Sequence, residues 1–225
     1  MTPIFVTGTD TNVGKSTVTA LIAGYLAQKG HTVTTQKWIQ TGCSDKTWDL
    51  DRHDRWLGEV YPHDDRYAYA FDPAVSPHLA SKEAGVAIDP ARISDQTRAL
   101  ATRFEYVIIE GSGGWYVPYS ESGLMADLVQ DLNLPVLLVA ANRLGAINHT
   151  LLTIESIQNR RLPFIGTLFT SPSANENPAV SADNPAIIAS ISGTKTIGIL
   201  PFCTSEEQLS HAFSSIGDRL YKTLR

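Results

Sequence analysis

A loop rich in glycine and hydroxyl residues near the start of the chain constrains the fold more than any other part of the sequence. This loop, Gly8-Thr9-Asp10-Thr11-Asn12-Val13-Gly14-Lys15-Ser16, follows the apolar run Ile4-Phe5-Val6, which is typical of a buried strand. After the loop, residues 15–29 carry apolar side chains at helical spacing, namely Val18, Leu21, Ile22, Tyr25 and Leu26. A tight loop between a strand and a helix surrounds one point with backbone N–H groups and the positive end of the helix dipole. The segment therefore predicts an α/β fold with an anion-binding site.

The rest of the chain continues this alternation of strands and helices. Apolar or β-branched runs predict further strands at residues 32–37, 106–109, 135–140, 164–169 and 196–200. Asp89 followed by Pro90 is typical of a helix start, and a further helix is predicted near residues 148–160. Thr204 with Glu207 predicts a capping box that opens the last helix.

Continuous apolar strands joined by helices are typical of a mostly parallel sheet that is covered on both faces. We therefore predict a single doubly wound α/β domain over residues 1–225, which binds its ligands beyond the carboxyl ends of the strands. Polar residues with weak periodicity predict loops at residues 42–50, 61–88 and 171–185.

Composition excludes several classes of protein. A formal net charge of −5 is unfavourable for binding the phosphate backbone of a nucleic acid. No apolar run approaches the length of about 20 residues that a membrane helix needs. The N-terminus lacks the pattern of a secretory signal, so we expect a cytoplasmic protein. Cys43 and Cys203 are too few for a disulfide framework or a cysteine-based zinc site.

Gly14-Lys15-Ser16 identifies the loop as a variant of the phosphate-binding P-loop. The usual pattern has glycine at the position of Thr9, and here the glycine lies one residue earlier, at Gly8. We expect Lys15 to reach the β- and γ-phosphates of a nucleotide and the Ser16 hydroxyl to bind Mg²⁺. The residues of this segment predicted to bind the nucleotide are Asp10, Asn12, Val13, Gly14, Lys15, Ser16 and Thr17.

Two subclasses of P-loop protein fit the sequence poorly. Signalling GTPases read guanine with an Asn-Lys-x-Asp element, whereas Asn142-Arg143-Leu144-Gly145 ends in glycine where that carboxylate should be. Partitioning ATPases resemble this chain in fold but carry an additional lysine at the position of Asp10. We therefore expect neither a GTP switch nor a lysine that crosses between subunits from that position.

Five segments taken together resemble the dethiobiotin synthetase family, the ATP-dependent carboxylases of biotin synthesis. They are residues 7–16, Lys37 with Thr41-Gly42, Ser76-Pro77-His78, Glu110-Gly111-Ser112-Gly113-Gly114-Trp115, and Leu144-Gly145-Ala146-Ile147-Asn148-His149. A Gly-Ile-Leu-Pro segment at residues 198–201 extends the match. The resemblance covers about two thirds of the chain and implies an α/β fold of the P-loop type.

The resemblance implies that the substrates are 7,8-diaminononanoate, CO₂ and ATP, with Mg²⁺ as cofactor. The diamine would form a carbamate, ATP would phosphorylate it to a carbamic-phosphoric anhydride, and the second amine would close a cyclic urea. Carbamate and γ-phosphate are both anions, so their reaction needs cations nearby. Lys15 and Lys37 can supply them, because a strand that ends at Gln36 would project Lys37 toward the P-loop edge. The predicted catalytic residues are Lys37, Lys15 and Thr11.

The resemblance also implies a magnesium site that contains a hydroxyl and two carboxylates. Hydroxyl and carboxylate oxygens are ligands that Mg²⁺ prefers. Ser16 and Glu110 match the first two positions of the set. The third ligand is an aspartate at the start of the following helix, where we select Asp49 and keep Asp51 and Asp54 as alternatives.

Substrate contacts are expected from hydroxyl, glycine and loop residues, and the resemblance implies a homodimer in which a Gly-x-x-Asn turn reaches across to the substrate's carboxylate tail. The predicted substrate-binding residues are Thr11, Lys37, Thr41, Pro77, Gly111, Gly113, Gly145, Ala146 and Asn148. For His78 we favour a structural role, with acid–base catalysis as the alternative.

The chain departs from the family at the position that reads adenine, where Thr170-Ser171-Pro172 replaces the usual amide pair. We expect Thr170, together with Pro201 and the metal-linked Glu110, to contact the nucleotide, with a weaker preference for adenine because a hydroxyl discriminates less sharply than an amide. The alternative functions are a related ATP-dependent amidase or ligase and a non-catalytic nucleotide-dependent regulator.

Overall fold

Seven parallel strands form one sheet in the computed structural model, which describes residues 2–43, 49–58, 61–175 and 177–225. The strands are β1 (Thr2–Gly8), β2 (Val33–Thr41), β3 (Tyr67–Phe71), β4 (Tyr106–Glu110), β5 (Val136–Ala141), β6 (Phe164–Thr170) and β7 (Thr196–Leu200). Their order across the sheet is β3-β2-β4-β1-β5-β6-β7. The predicted α/β fold with a parallel sheet is confirmed, and β1 lies at its centre.

Eight α-helices are found in the described part of the chain. They are α1 (Lys15–Gln28), α2 (Asp49–Leu57), α3 (Pro77–Ala84), α4 (Pro90–Arg103), α5 (Met125–Asp131), α6 (Ala146–Asn159), α7 (Pro178–Ser192) and α8 (Glu206–Leu224). The predicted start of α4 is confirmed, because the Asp89 side chain accepts a hydrogen bond from the N–H of Ala91. None of the helices described is long and apolar enough to cross a bilayer.

Strand β1 shows that the sheet is buried on both faces. Ile4 and Val6 pack on one face with apolar side chains of α1 and α8. Phe5 lies on the opposite face, where its ring centroid is 4.8 Å from that of Trp38. Because successive side chains of a strand point to opposite faces, this burial explains the continuous apolar runs of the sequence. In sheets covered on both faces in this way, ligands bind beyond the carboxyl ends of the strands.

The predicted end of β2 is wrong. The strand continues through Thr41, so Lys37 lies within it rather than at its end. The physical reason is that Trp38 and Ile39 are fully buried apolar residues that extend the pairing with the neighbouring strands. Lys37 nevertheless lies at the carboxyl end of the neighbouring strand, because β4 ends at Glu110, directly opposite Lys37 in the register.

Two predicted loops contain regular structure. Residues 61–88 include β3 and α3, and residues 178–185 belong to α7. The periodicity is weak because β3 is a short edge strand and α3 buries only Pro77 and Ala80. Pro185 lies inside α7, although proline usually ends a helix. In the third predicted loop, residues 44–48 lie outside the described residues, and Asp49 already begins α2.

The capping box predicted at the last helix is displaced by one residue. The cap of α8 is Ser205, whose hydroxyl accepts from the N–H of Gln208. The Gln208 side chain in turn accepts from the N–H of Thr204 at 2.9 Å. Gln208 rather than Glu207 therefore supplies the side chain of this motif, because two neighbouring hydroxyl residues made the sequence pattern ambiguous.

Candidate active site

The ends of β1, β2 and β4 and the first turn of α2 surround a cleft of about 540 Å³. The strand order places β4 between β1 and β2, so the residues at these ends converge. The cleft brings together many of the predicted site residues, namely Thr11, Asn12, Gly14, Lys15, Ser16, Lys37, Thr41, Asp49, Glu110 and Gly113. It contains cationic, carboxylate and hydroxyl groups but no large apolar wall among its described lining residues, as expected for a site that binds charged ligands.

The shape of the P-loop depends on two residues with left-handed backbone conformations. Asn12 has a φ of 57° and Gly14 a φ of 93°. Glycine adopts this region at no steric cost, and asparagine does so more readily than most residues. A Cβ added to Gly14 would also lie 3.1 Å from Cγ2 of Thr170. Glycine is thus favoured at position 14 by the backbone conformation, and any larger residue would also require Thr170 to shift.

Side chains on either side of the P-loop hold it in place. The Lys15 ammonium donates to the carbonyl oxygen of Asp10 at 2.8 Å. The Thr170 hydroxyl, at the end of β6, donates to the carbonyl oxygen of Val13 at 2.8 Å. The hydroxyl hydrogen of Thr170 is therefore engaged with the backbone of the P-loop.

Behind the P-loop, one ammonium lies between two carboxylates. Lys37 Nζ is 2.8 Å from Oε1 of Glu110 and 2.8 Å from Oδ2 of Asp49. The Ser16 hydroxyl is 2.9 Å from Glu110 Oε1 and 3.0 Å from Asp49 Oδ1. Residues from the P-loop, β2, α2 and β4 thus form one connected cluster of charged and hydroxyl groups.

Burial and neighbouring charges shift the pKa values in this cluster. Burial lowers the pKa of Lys15 to about 8, and the positive charge of Lys37 adds to this effect. Burial alone would lower the pKa of Lys37, but the carboxylates of Glu110 and Asp49 raise it above its ordinary value. Burial alone would raise the pKa of Glu110, whereas Lys37 and His53 lower it below its usual range. Lys37 and Glu110 are therefore a buried ion pair.

The structure distinguishes among the three aspartates proposed as the third metal ligand. Asp49 joins the cluster, as described above. Asp54 instead accepts from the buried guanidinium of Arg66 at 2.6 Å, and His63 is 3.0 Å from its other oxygen. Asp51 lies 3.5 Å from His63. Of these aspartates, Asp49 is the one whose carboxylate faces Ser16.

The sequence analysis missed two residues that contact the cluster. His53 Nε2 is 2.8 Å from Glu110 Oε2, and its side chain is fully buried. Gln40 lines the cleft and accepts from the N–H of Asp49 at 3.4 Å. His53 follows Asp49 by four residues, which places both on one face of α2, and that spacing could have indicated His53 from the sequence.

Several predicted site residues do not line the cleft of the single chain. Gly145, Ala146 and Asn148 lie at the start of α6, and Pro201 is exposed after β7.

Pro77 is buried as the first residue of α3, and His78 Nδ1 contacts the Ser76 hydroxyl at 3.0 Å, an arrangement typical of a structural role. Gly111 packs under Phe5, where an added Cβ would lie 2.8 Å from the ring. Thr17 lies within the first turn of α1.

The oxygen atoms of the cluster fit a magnesium ion. Asp49 Oδ1 and Glu110 Oε1 each lie within hydrogen-bond distance of Ser16 Oγ. All three are hard oxygen ligands of the kind that Mg²⁺ prefers. Within the described residues, no three His, Cys, Asp or Glu side chains form a metal-type group. The hydroxyl of Ser16 would add a third oxygen to the two carboxylates, and nucleotide phosphates and water would complete the coordination.

Sequence comparisons agree with the chemistry of the cleft. A family described as an AAA domain matches residues 2–208. The ATP-dependent dethiobiotin synthetase BioD 2 of Haemophilus influenzae is 38% identical over 170 residues, which cover 74% of this chain and 89% of that protein. The ATP-dependent dethiobiotin synthetase BioD of Halalkalibacterium halodurans is 34% identical over 203 residues, covering 88% of this chain and 84% of that protein.

Structural comparisons agree with the fold. A ParA family ATPase from Chlorobium tepidum has a TM-score of 0.57 at 15% identity, with 100% of this chain and 98% of that chain covered. MinD from Pyrococcus furiosus has a TM-score of 0.58 at 16% identity, with 99% of each chain covered. At these identities the likeness concerns the fold alone. The sequence matches, together with a P-loop that faces a buried lysine and two carboxylates, show that the chain belongs to the family of ATP-dependent dethiobiotin synthetases.

Proposed function

We propose that this protein acts in the cytoplasm as a single-domain enzyme that carboxylates 7,8-diaminononanoate with CO₂ and closes the ring of dethiobiotin. ATP is the second substrate, and ADP and phosphate are released. The observation that best supports this proposal is the position of Lys37, whose ammonium is buried between two carboxylates in the cleft that the P-loop also lines. The proposed reaction requires no nucleophilic side chain, because phosphoryl transfer depends mainly on positioning and charge.

Each bond change in the proposed reaction can be assigned. One amine of the substrate adds to CO₂ and loses a proton, giving a carbamate. A carbamate oxygen then attacks the γ-phosphorus, and the bond to the ADP oxygen breaks. The second amine finally attacks the carbonyl carbon of the resulting anhydride, the C–O bond to phosphate breaks, and the nitrogen loses a proton as the cyclic urea forms. Carbamate and γ-phosphate are both anionic, so the ammonium groups of Lys15 and Lys37 would hold them together.

The residues divide between nucleotide and metal binding. The backbone of residues 10–17 and Lys15 would bind the phosphates of ATP, with the first N–H groups of α1 directed toward them. Ser16, Asp49 and Glu110 would hold Mg²⁺, which when bound neutralises phosphate charge. The hydroxyl of Thr170 supports the P-loop, so base contacts would come from the backbone near Thr170 and Pro201.

Binding of the diamine would use the wall of the cleft opposite the P-loop and a second subunit. Thr11 and Thr41 line the cleft and can accept hydrogen bonds from the reacting amines. Gly113 lines the cleft, where glycine lets the substrate approach the backbone closely, whereas Gly111 packs against Phe5 and Pro77 is the buried first residue of α3. We further propose a homodimer in which Gly145, Ala146 and Asn148 bind the carboxylate tail in the partner's cleft.

The surface around Asn148 supports this dimer. Asn148 and Leu152 lie one turn apart on the exposed face of α6, and Leu144 lies two residues before the helix. Leu144 is 84% exposed and Leu152 is 57% exposed. Apolar side chains of this size beside a polar binding residue are typical of an interface.

Product formation tests the proposal directly. The protein would be incubated with 7,8-diaminononanoate, bicarbonate, Mg²⁺ and ATP, and the cyclic urea would be detected by mass spectrometry. Lys37→Met should abolish turnover while nucleotide binding persists, because Lys37 would contact the reacting anions and makes no hydrogen bond to the P-loop within the described residues. Lys195→Met, at an exposed lysine outside the cleft, is the matched control and should be fully active.

The outcomes separate the enzyme from its alternatives. Product that depends on Lys37 would establish the reaction. Protein that is folded, binds nucleotide and forms no product with any nucleoside triphosphate would exclude dethiobiotin synthesis. If the protein binds a partner in a nucleotide-dependent manner, and Lys37→Met leaves this binding unchanged, the result would instead support a non-catalytic regulator.

A further inference from the structure

His53 is a fully buried imidazole that the reaction proposed above does not use. Its Nε2 atom is 2.8 Å from Oε2 of Glu110. Its Nδ1 atom is also buried and has no hydrogen-bond partner among the residues that the structure describes. Because this imidazole has no second hydrogen bond in the described region, the contact with Glu110 is the polar interaction that accounts for a histidine here.

Helix α2 explains how His53 reaches the cluster. Asp49 and His53 are four positions apart in the chain, so they lie on the same face of the helix, one turn apart. Asp49 contacts Ser16 and Lys37, whereas His53 contacts Glu110. One helix face therefore supplies one carboxylate of the cluster and a hydrogen bond to the other.

The two oxygens of Glu110 have different partners. Oε1 accepts from Ser16 and from Lys37, and it faces the cleft. Oε2 contacts His53, and because an ionised carboxylate can only accept, Nε2 must carry the hydrogen. Without this donor, Oε2 would be a buried charged oxygen with no partner among these groups, and the carboxylate would gain by turning Oε2 toward Lys37.

We infer that His53 is a positioning residue, which holds Glu110 so that Oε1 is presented beside Ser16 as a metal ligand. This inference rests on the proposed magnesium site. Hydrogen-bond partners that orient a metal ligand typically change metal affinity by about 10- to 100-fold when they are removed. His53 would thus set the affinity for the ion without touching ATP or the diamine.

Three substitutions differ in whether they keep the donor. His53→Leu removes the donor and retains an apolar side chain in the buried position. His53→Gln keeps an amide N–H that reaches as far as Nε2, whereas the shorter side chain of His53→Asn ends near the position of Nδ1. His211→Leu, at an exposed histidine on α8, is the control for loss of a histidine as such.

Metal binding is the primary measurement. Free Mn²⁺ would be quantified by electron paramagnetic resonance while the ion is titrated into protein saturated with ADP. We expect the dissociation constant for Mn²⁺ to rise about 10- to 100-fold in His53→Leu and His53→Asn and to stay near the wild-type value in His53→Gln and His211→Leu. Binding of a fluorescent ADP analogue in EDTA should be equal in all five proteins, because His53 does not contact the P-loop.

The possible failures are distinguishable. Wild-type protein that binds ADP but no Mn²⁺ would overturn the proposed metal site, and this inference with it. Wild-type binding of Mn²⁺ with unchanged affinity in His53→Leu and His53→Asn would overturn the role of His53 alone. A fall in nucleotide binding in EDTA that parallels the fall in Mn²⁺ binding would show that His53 serves packing only. If His53→Leu does not fold, the comparison of Gln with Asn decides the question.

Discussion

Lys37 and Glu110 lie directly opposite each other at the last register position shared by β2 and β4. Both side chains are buried, and Nζ is 2.8 Å from Oε1. Because burying a single charge costs free energy, each of these residues offsets part of the cost of burying the other. The pairing of the two strands and the chemistry of the cleft therefore depend on the same two side chains.

Removing either partner of this ion pair should destabilise the fold. We expect Lys37→Met and Glu110→Gln each to lower the free energy of unfolding by about 3–5 kcal/mol, because the remaining buried group loses its main partner. The double variant should lose clearly less than the sum, since no unpaired charge is left between the strands. Urea unfolding in EDTA measures these values, and strictly additive losses would contradict the coupling.

Nucleotide binding should take up a proton at alkaline pH. Burial lowers the pKa of Lys15 to about 8 in the free protein, and nearby phosphate oxygens would raise it again by stabilising the ammonium. Proton uptake is therefore expected at about pH 9, where free Lys15 is mostly neutral, and should vanish below about pH 7, where it is already charged. Calorimetric titration of ADP in EDTA, in two buffers of different ionisation enthalpy, measures the uptake. Equal enthalpies at the higher pH would count against it, and Lys15→Met is the control.

Thr170 should affect all nucleotides alike. Thr170→Val removes the hydrogen bond to Val13 but keeps the shape of the side chain, so we expect binding of ATP, GTP and CTP to weaken together by about 1 kcal/mol. Thr170→Ser keeps the hydroxyl and serves as the control. Competition binding against a fluorescent ADP analogue gives the ranking of the three nucleotides, and a selective loss of ATP would show that Thr170 reads the base.

The exposed face of α6 should control the oligomeric state. Leu152→Glu places a charge on the apolar surface beside Asn148, so we expect monomers in analytical ultracentrifugation and a raised KM for the diamine, with unchanged ADP affinity. Val86→Glu alters an exposed apolar residue on another surface and should have no such effect. A monomeric wild-type protein with full activity would refute the shared site.

The sequence was sufficient to predict the central strands and the P-loop because each of their signals is local. Ile4, Phe5 and Val6 are buried on both faces of the sheet, so a continuous apolar run marks the strand. Short peripheral elements such as β3 and α3 lack that signal because β3 is a five-residue edge strand and α3 buries only Pro77 and Ala80. Their positions depend on packing against distant parts of the chain, which a local pattern does not contain.

The candidate site was predictable to the extent that its residues occur in motifs. Lys15 and Ser16 follow the glycine-containing loop at the start of α1, and Glu110 ends β4 directly before a glycine, and such positions indicate a site. His53 lies in a polar helix among Arg52 and Asp54, where its complete burial is invisible in the composition. The choice of Asp49 over Asp54 likewise depends on Arg66, whose burial follows from the tertiary fold.

The hydrogen bond from Thr170 to Val13 joins parts of the chain separated by 157 positions. Strands β1 and β4 can pair before β6 exists, but the P-loop gains this contact only after residue 170 has been added and β6 has joined β5. During synthesis on the ribosome, the loop that begins at Gly8 would thus lack this one contact until three quarters of the chain had been made. The full affinity for nucleotide should accordingly be reached only late in the synthesis of this protein.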